Sequence, residues 1–431
     1  MAKTISRRTF NKLLLSGVAA SSSLLMSGLP VMAAGAKARV VVIGGGFGGA
    51  TVAKYLKMAD SELSVTLVEP KTVFHTCPMS NSVIGGLRSM SFIAQNYDAL
   101  RQQYGVEVVH DYAMAVDPVK KTVKLKGGRS LGYDRLVVSP GVDFIWNSIE
   151  GYSEQAAESS MPHAYEAGPQ TDLLRRQLLA MKDGDKVIIV APRNPFRCPA
   201  APYERASLIA NYLKQHKPKS KILILDDKEV FTKQDLFMLG WDRLYPRMIE
   251  WRSGSFGGHV ERLDPSTMTV STEFGDEKGG VINVIPPQKA GRIAFEAGLV
   301  DESGWCPVDQ VTFESLKQPG IHVIGDSALA GPMPKSGVSA NTQAKVLAAS
   351  LIELFGGKAV ETPDLSSLCY SLIGPGYAVS VAGAYSRSAK GITEKPEAVH
   401  LTSMEATSKQ LAEEAMQSDQ WYHAITYDIW H

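Results

Sequence analysis

The sequence predicts an α/β protein built from two Rossmann-like domains and a C-terminal α+β domain. Three observations lead there. The β-branched run Arg39-Val-Val-Val-Ile43 enters a glycine-rich turn and then an apolar helical segment, Ala50-Thr-Val-Ala-Lys-Tyr-Leu. A second run, Val187 to Val190, has the continuous apolar character of a buried parallel strand; a helical stretch near Tyr203 to His216 and the strand Lys221-Ile-Leu-Ile-Leu225 follow it. The 431 residues leave room for two or three domains with substantial cores.

In the first unit the turn reads Gly44-Gly-Gly46-Phe47-Gly48-Gly49, and the next strand, Val65-Thr-Leu-Val68, ends at Glu69. Gly44 makes the tight turn, Gly46 lets backbone approach a pyrophosphate, and Gly49 lets helix and strand pack closely. The helix N-terminus beyond Phe47 faces the anion, and Glu69 accepts hydrogen bonds from a ribose. Strand, glycines, helix, strand and acid in this order form a specific dinucleotide signature.

Two further stretches choose the dinucleotide. Tyr133-Asp-Arg-Leu-Val-Val-Ser139-Pro140-Gly141 and Ile321-His-Val-Ile-Gly325-Asp326 resemble the strand-and-turn and second FAD fingerprint of two-dinucleotide flavoproteins. Asp326 then takes a ribityl hydroxyl, and the first site reads as FAD. Lys335-Ser336-Gly337 precedes a helix expected over 339–354, whose positive end suits a reduced flavin ring.

The second unit departs from its template. The loop Ala191-Pro-Arg-Asn-Pro-Phe-Arg-Cys198-Pro-Ala-Ala-Pro202 contains no glycine, and its prolines lack the N–H groups a phosphate needs. The scaffold of a nicotinamide site is kept and the site itself lost, so electrons enter or leave by another route. Cys198 on this stiff loop suggests half of a redox disulfide; a structural crosslink or a buried thiol is the alternative. Cys369 lies in the C-terminal segment. Cys306, in Gly304-Trp-Cys306-Pro-Val-Asp309, reads as a core or near-turn residue.

Composition narrows the rest. Apolar residues make up 44% and charged residues 21%, and the formal net charge is +1, so no basic face argues for nucleic acid. Four cysteines are too few for a stapled scaffold, and no pair has zinc-site spacing. Ser6-Arg7-Arg8-Thr9-Phe10-Asn11-Lys12, the apolar stretch 13–29 and the alanines at 33, 34 and 36 resemble a twin-arginine export signal, with a membrane-anchoring helix as the alternative. The expected organisation is a signal peptide over 1–36, an FAD domain over 37–150 and 289–358, a nucleotide-like middle domain over 151–288, and a C-terminal domain over 359–431. The expected location is the periplasm.

Across its mature length the chain resembles the flavoprotein subunit of flavocytochrome c sulfide dehydrogenase, of glutathione-reductase-like architecture. The stretches that carry this are Phe74-His-Thr-Cys77-Pro-Met-Ser-Asn81-Ser-Val-Ile-Gly-Gly86, Pro195-Phe-Arg-Cys198-Pro, Pro202-Tyr-Glu-Arg-Ala-Ser207, Gly304-Trp-Cys-Pro-Val-Asp309 and Pro332-Met-Pro-Lys-Ser-Gly337. The resemblance implies FAD attached covalently through Cys77, a redox disulfide between Cys198 and Cys369, and sulfide as substrate, opening that disulfide by thiol–disulfide exchange. A free pocket thiol is the other reading of Cys77. Pro78-Met79 and the short segment Tyr245-Pro-Arg-Met248 depart from the pattern and leave details of the flavin pocket open.

Glu204 reads equally as a proton acceptor or as a helix-start acid. The aromatic tail suggests Trp421 packing over the flavin beside a partner interface, or ordinary domain packing. No C-x-x-C-H occurs, so the haem implied by the family belongs to a partner, a dihaem c-type cytochrome. A quinone acceptor would need an amphipathic membrane segment, which 403–417 does not supply. An accessory role in a sulfur-carrier system is the third reading.

Overall fold

The computed structural model describes residues 38–431; the expected export signal lies outside the described residues. The first domain is a five-stranded parallel sheet in the order Ile321–Val323, Arg135–Val138, Arg39–Ile43, Ser64–Val68, Glu107–Val109. Val40 to Ile43 are buried in a core shared with the Phe47–Ala59 and Gly337–Phe355 helices and with a three-stranded antiparallel sheet over 113–132. The helix after the glycine turn spans Phe47–Ala59, three residues earlier than its apolar pattern suggests. Gly48 and Gly49 lie inside the first turn, which a propensity reading assigns to the loop. A Cβ at Gly49 would stand 1.8 Å from the Gly44 carbonyl oxygen, so only glycine lets the helix sit this close to the strand. The Gly337–Phe355 helix packs along Phe47–Ala59, and Asn341 donates to Thr51 across the seam at 3.0 Å.

The chain leaves this domain through Val142–Phe144 and returns through Gln288–Ala290, paired antiparallel with Val142 opposite Ala290. Between them lies a four-stranded parallel sheet in the order Ile249–Arg252, Lys221–Asp226, Lys186–Ala191, Val281–Val284. The Ala201–His216 helix crosses between its two central strands, as the second unit requires. A three-stranded antiparallel sheet over 262–278 interrupts the return, with no strong alternation to announce it.

The C-terminal part is α+β. Leu365–Gly374 and Tyr377–Ser388 form a long antiparallel pair, with Gly391–Glu394 and His400–Leu401 added to the second strand. The Ser408–Trp430 helix then returns to the first domain. Thr407 and Gln410 form its capping box. At its far end Asp428 accepts from Tyr55 at 2.6 Å and pairs with Lys345 at 2.9 Å. Fully buried Trp430 stacks on Phe74 and meets the edge of Phe47, each ring centroid under 5.5 Å away. Of the two readings of the aromatic tail, Tyr422 and Trp430 take domain packing, while Trp421 remains half-buried. Among the described residues no helix is long and apolar enough to cross a membrane.

Candidate active site

The dinucleotide cradle comes first. Gly44 has φ +97°, and its N–H donates to Val68 O at 2.9 Å. A Cβ there would lie 2.3 Å from the Ser139 carbonyl oxygen, so the turn and the Ser139–Gly141 crossing press together. Gly46 caps the first helix without a side-chain partner, which leaves its N-terminal N–H groups for an anion. Buried Glu69 accepts from the N–H groups of Gly45 at 2.8 Å and Lys71 at 2.9 Å. Each of its oxygens keeps a lone pair for a ribose hydroxyl.

The second fingerprint closes the cradle. Gly325 has φ +75° and donates to Gln343 Oε1 at 2.8 Å. The neighbouring Asp326 has a buried Oδ1 with no hydrogen-bond partner among the described residues. Burial pushes its carboxyl pKa up; Arg197, 3.8 Å from Oδ2, and Lys335 oppose this. A buried orphan acceptor is rare unless a ligand completes it. Lys335 Nζ donates to Asp326 O at 2.6 Å and lies 3.8 Å from the centre of the Trp305 ring. Burial lowers its pKa to about 8. Ser336 caps the Gly337–Phe355 helix by accepting from Ser339 N. The glycine cradle, the ribose acid and the orphan Asp326 oxygen fit FAD.

Beside this cradle lies a cavity of about 80 Å³ whose walls include Cys77, Cys198, Cys369, Glu204, Ser336 and Trp421. Residues from all three parts of the chain meet here. Cys198 sits at φ +54°, an unusual conformation for a residue with a side chain. The loop is pinned in that shape: Cys198 N donates to Lys335 O at 2.8 Å, Tyr165 Oη donates to Cys198 O at 3.3 Å, and Phe196 is buried beneath. Cys77 precedes the short Ser80–Ile84 helix, and its thiol points at Tyr165 O, 3.7 Å away. Cys198 and Cys369, from different parts of the chain, share the cavity. Cys306 is fully buried in the first core, away from these, and burial raises its thiol pKa to about 12.

Glu204 lies in the first turn of the Ala201–His216 helix, yet its oxygens turn to other elements. Oε1 accepts from Leu372 N at 2.9 Å and Oε2 from Asn81 Nδ2 at 2.8 Å. Burial raises its pKa. Burial also pushes the Cys198 thiol well above its usual range, and Cys369, Glu204 and Cys77 add to that shift.

Several groups here escaped the sequence reading. Arg205 is buried and donates to Asn81 Oδ1, His163 O, Asn283 Oδ1 and Ala164 O, all within 3.0 Å. It ties Asn81, His163, Ala164 and Asn283 to the Ala201–His216 helix. Lys233, buried at the start of the Gln234–Leu244 helix, reaches Cys369: its Nζ is 3.1 Å from Cys369 O, 3.5 Å from Sγ and 2.8 Å from Ser371 Oγ. Nothing in Phe231-Thr-Lys-Gln marks Lys233 locally; its contact is made 136 residues away.

Comparison with known proteins agrees with this geometry. Residues 171–286 match a family described as sulfide dehydrogenase (flavocytochrome c) flavoprotein chain, central. Residues 361–430 match flavocytochrome c sulphide dehydrogenase, flavin-binding, and residues 38–190 match pyridine nucleotide-disulphide oxidoreductase. The flavoprotein chain of a sulfide dehydrogenase (flavocytochrome c) from Chlorobaculum thiosulfatiphilum is 71% identical over 45 residues, 10% of this chain and 94% of that one. A mitochondrial sulfide:quinone oxidoreductase of Dictyostelium discoideum is 24% identical over 324 residues, 73% of this chain and 70% of its own. In fold, the sulfide:quinone oxidoreductase of Aquifex aeolicus superposes with a TM-score of 0.68 at 18% identity, over 91% of this chain and 92% of that one. Putidaredoxin reductase in its covalent putidaredoxin complex gives 0.65 at 17% identity, over 91% and 94%. A two-dinucleotide fold, a flavin-binding C-terminal part and these matches together mean that the chain belongs to the sulfide-oxidising flavoproteins.

Proposed function

We propose that the protein oxidises sulfide at the Cys198–Cys369 pair and delivers the electrons, through FAD held covalently by Cys77, to a c-type cytochrome subunit in the periplasm. The observation that carries this reading is the single cavity lined by Cys77, Cys198 and Cys369 beside the dinucleotide cradle. Hydrosulfide attacks the oxidised pair; one S–S bond forms, the Cys198–Cys369 bond breaks, and its electron pair leaves on the released sulfur. A second hydrosulfide removes the outer sulfur as hydrogen disulfide. Reclosure of the pair then releases two electrons, so two hydrosulfides yield one hydrogen disulfide, a proton and two electrons. Bound FAD supplies the two-electron acceptor and can part with electrons singly. Glu204 receives the proton, since its raised pKa brings it closer to the thiols it faces. Trp421 and Tyr370, with ring centroids 6.2 Å apart, line the cavity.

The test is an anaerobic sulfide titration of the exported protein, followed by the flavin spectrum, beside Cys198→Ser. Bleaching in the wild type and not in the variant supports the reading. Wild-type flavin that stays oxidised sinks it and favours the accessory role. The similarity to sulfide:quinone oxidoreductases favours quinone as the second acceptor. Steady-state reduction of ferricytochrome c against a soluble quinone analogue separates the two.

A further inference from the structure

The cysteine pair is electrically lopsided. Lys233 Nζ lies 3.5 Å from Cys369 Sγ, and Lys233 is buried. Its other contacts are neutral oxygens, Cys369 O and Ser371 Oγ. Lys233 is placed by its own backbone, at φ +60° on the N-cap of the Gln234–Leu244 helix. Cys198 differs: burial, Cys369, Glu204 and Cys77 favour its neutral thiol, and Lys233, whose direct contact is with Cys369 Sγ, opposes this from further off.

We propose that Lys233 is a positioning residue that holds the negative charge of the opened pair on the Cys369 side. This rests on the sulfide-exchange reading above. Hydrosulfide brings one negative charge into the cavity, and that charge stays when the S–S bond opens. If the entering sulfur bonds to Cys198, the electron pair leaves as the Cys369 thiolate, directly against Lys233. If it bonds to Cys369, the Cys369 persulfide passes its proton to the Cys198 sulfur and becomes the anion. Both routes end with the same charge distribution: an anionic sulfur beside the ammonium and a neutral group on Cys198, a persulfide in the first route and a thiol in the second. The lysine thereby stabilises the opened state and speeds departure of the Cys369 sulfur.

The experiment reads the pair without sulfide and without turnover. The purified holoprotein is equilibrated in glutathione redox buffers at neutral pH, quenched by alkylation, and the Cys198 and Cys369 peptides are quantified by mass spectrometry. Lys233→Met is expected to shift the dithiol–disulfide equilibrium about tenfold toward the disulfide, the order of effect a neighbouring cation has on a thiol. Lys233→Arg is expected to restore it. Should Lys233→Met not fold, Lys233→Gln, which keeps a donor for Ser371, carries the comparison. A folded neutral variant within twofold of the wild-type equilibrium overturns the assignment. Because glutathione replaces sulfide, this outcome is independent of the sulfide titration of Cys198→Ser, which tests the underlying reading.

Discussion

Replacing Asp326 by alanine is expected to move the stability of the flavin-free chain and its affinity for FAD in opposite directions. Without flavin, the buried Oδ1 has no partner, and an unsatisfied buried acceptor costs about 1–3 kcal/mol. Arg197 offsets little of this, since its guanidinium stands 3.8 Å from Oδ2 and also donates to Tyr165 O. Alanine removes the orphan, so the empty chain should be as stable as wild type or up to about 3 kcal/mol more stable. With flavin, the same carboxylate accepts a hydroxyl, and a hydrogen bond to a charged group contributes about 1.5–3 kcal/mol. Its loss weakens binding roughly 10- to 150-fold. Both quantities are measured in a Cys77→Ser background, so that flavin exchanges freely: urea unfolding of the empty chain, and FAD titration by fluorescence quenching. A less stable empty chain with unchanged FAD affinity would refute the reasoning, because Asp326 would then be a structural acid.

Three further outcomes are expected. Acid-precipitated wild-type protein should retain its flavin, and Cys77→Ser should release it into the supernatant; release from both excludes the covalent link. Glu204→Gln should remove the acid limb from the pH profile of sulfide-driven flavin reduction. In the wild type that limb should lie above the ordinary carboxylate pKa of about 4.3, because burial raises Glu204. The linked stability has a definite sign. Between the unfolded and the raised folded value, the native protein binds a proton that the unfolded chain does not, so stability falls as pH rises through that window. Glu204→Gln should flatten this slope in urea midpoints measured against pH.

The dinucleotide cradle was legible because its physics is local. Gly44, Gly46, Gly49 and Glu69 lie within one strand–helix–strand unit, and the spacing itself states the turn, the close approach and the ribose acid. Asp326 was legible for the same reason, at the end of a short apolar strand. The cysteine cavity was legible only in part. Its members were named from their loops and from family resemblance, since no period or spacing brings Cys369 to Cys198 across domains. Arg205 and Lys233 were silent because their partners are backbone oxygens and side chains far along the chain. The early start of the Phe47–Ala59 helix was missed where close packing against Gly44 overrides the low helical propensity of Gly48 and Gly49.

The two strands Val142–Phe144 and Gln288–Ala290 form the narrow tether between the first domain and the middle one. Cys198 belongs to the middle domain and Cys369 to the C-terminal part, so a bond between them is a staple across a joint. In the proposed cycle this staple opens and recloses with every turnover. Redox chemistry would then also be mechanical: the oxidised protein is a closed frame, and the first hydrosulfide of each turnover releases one of its fastenings.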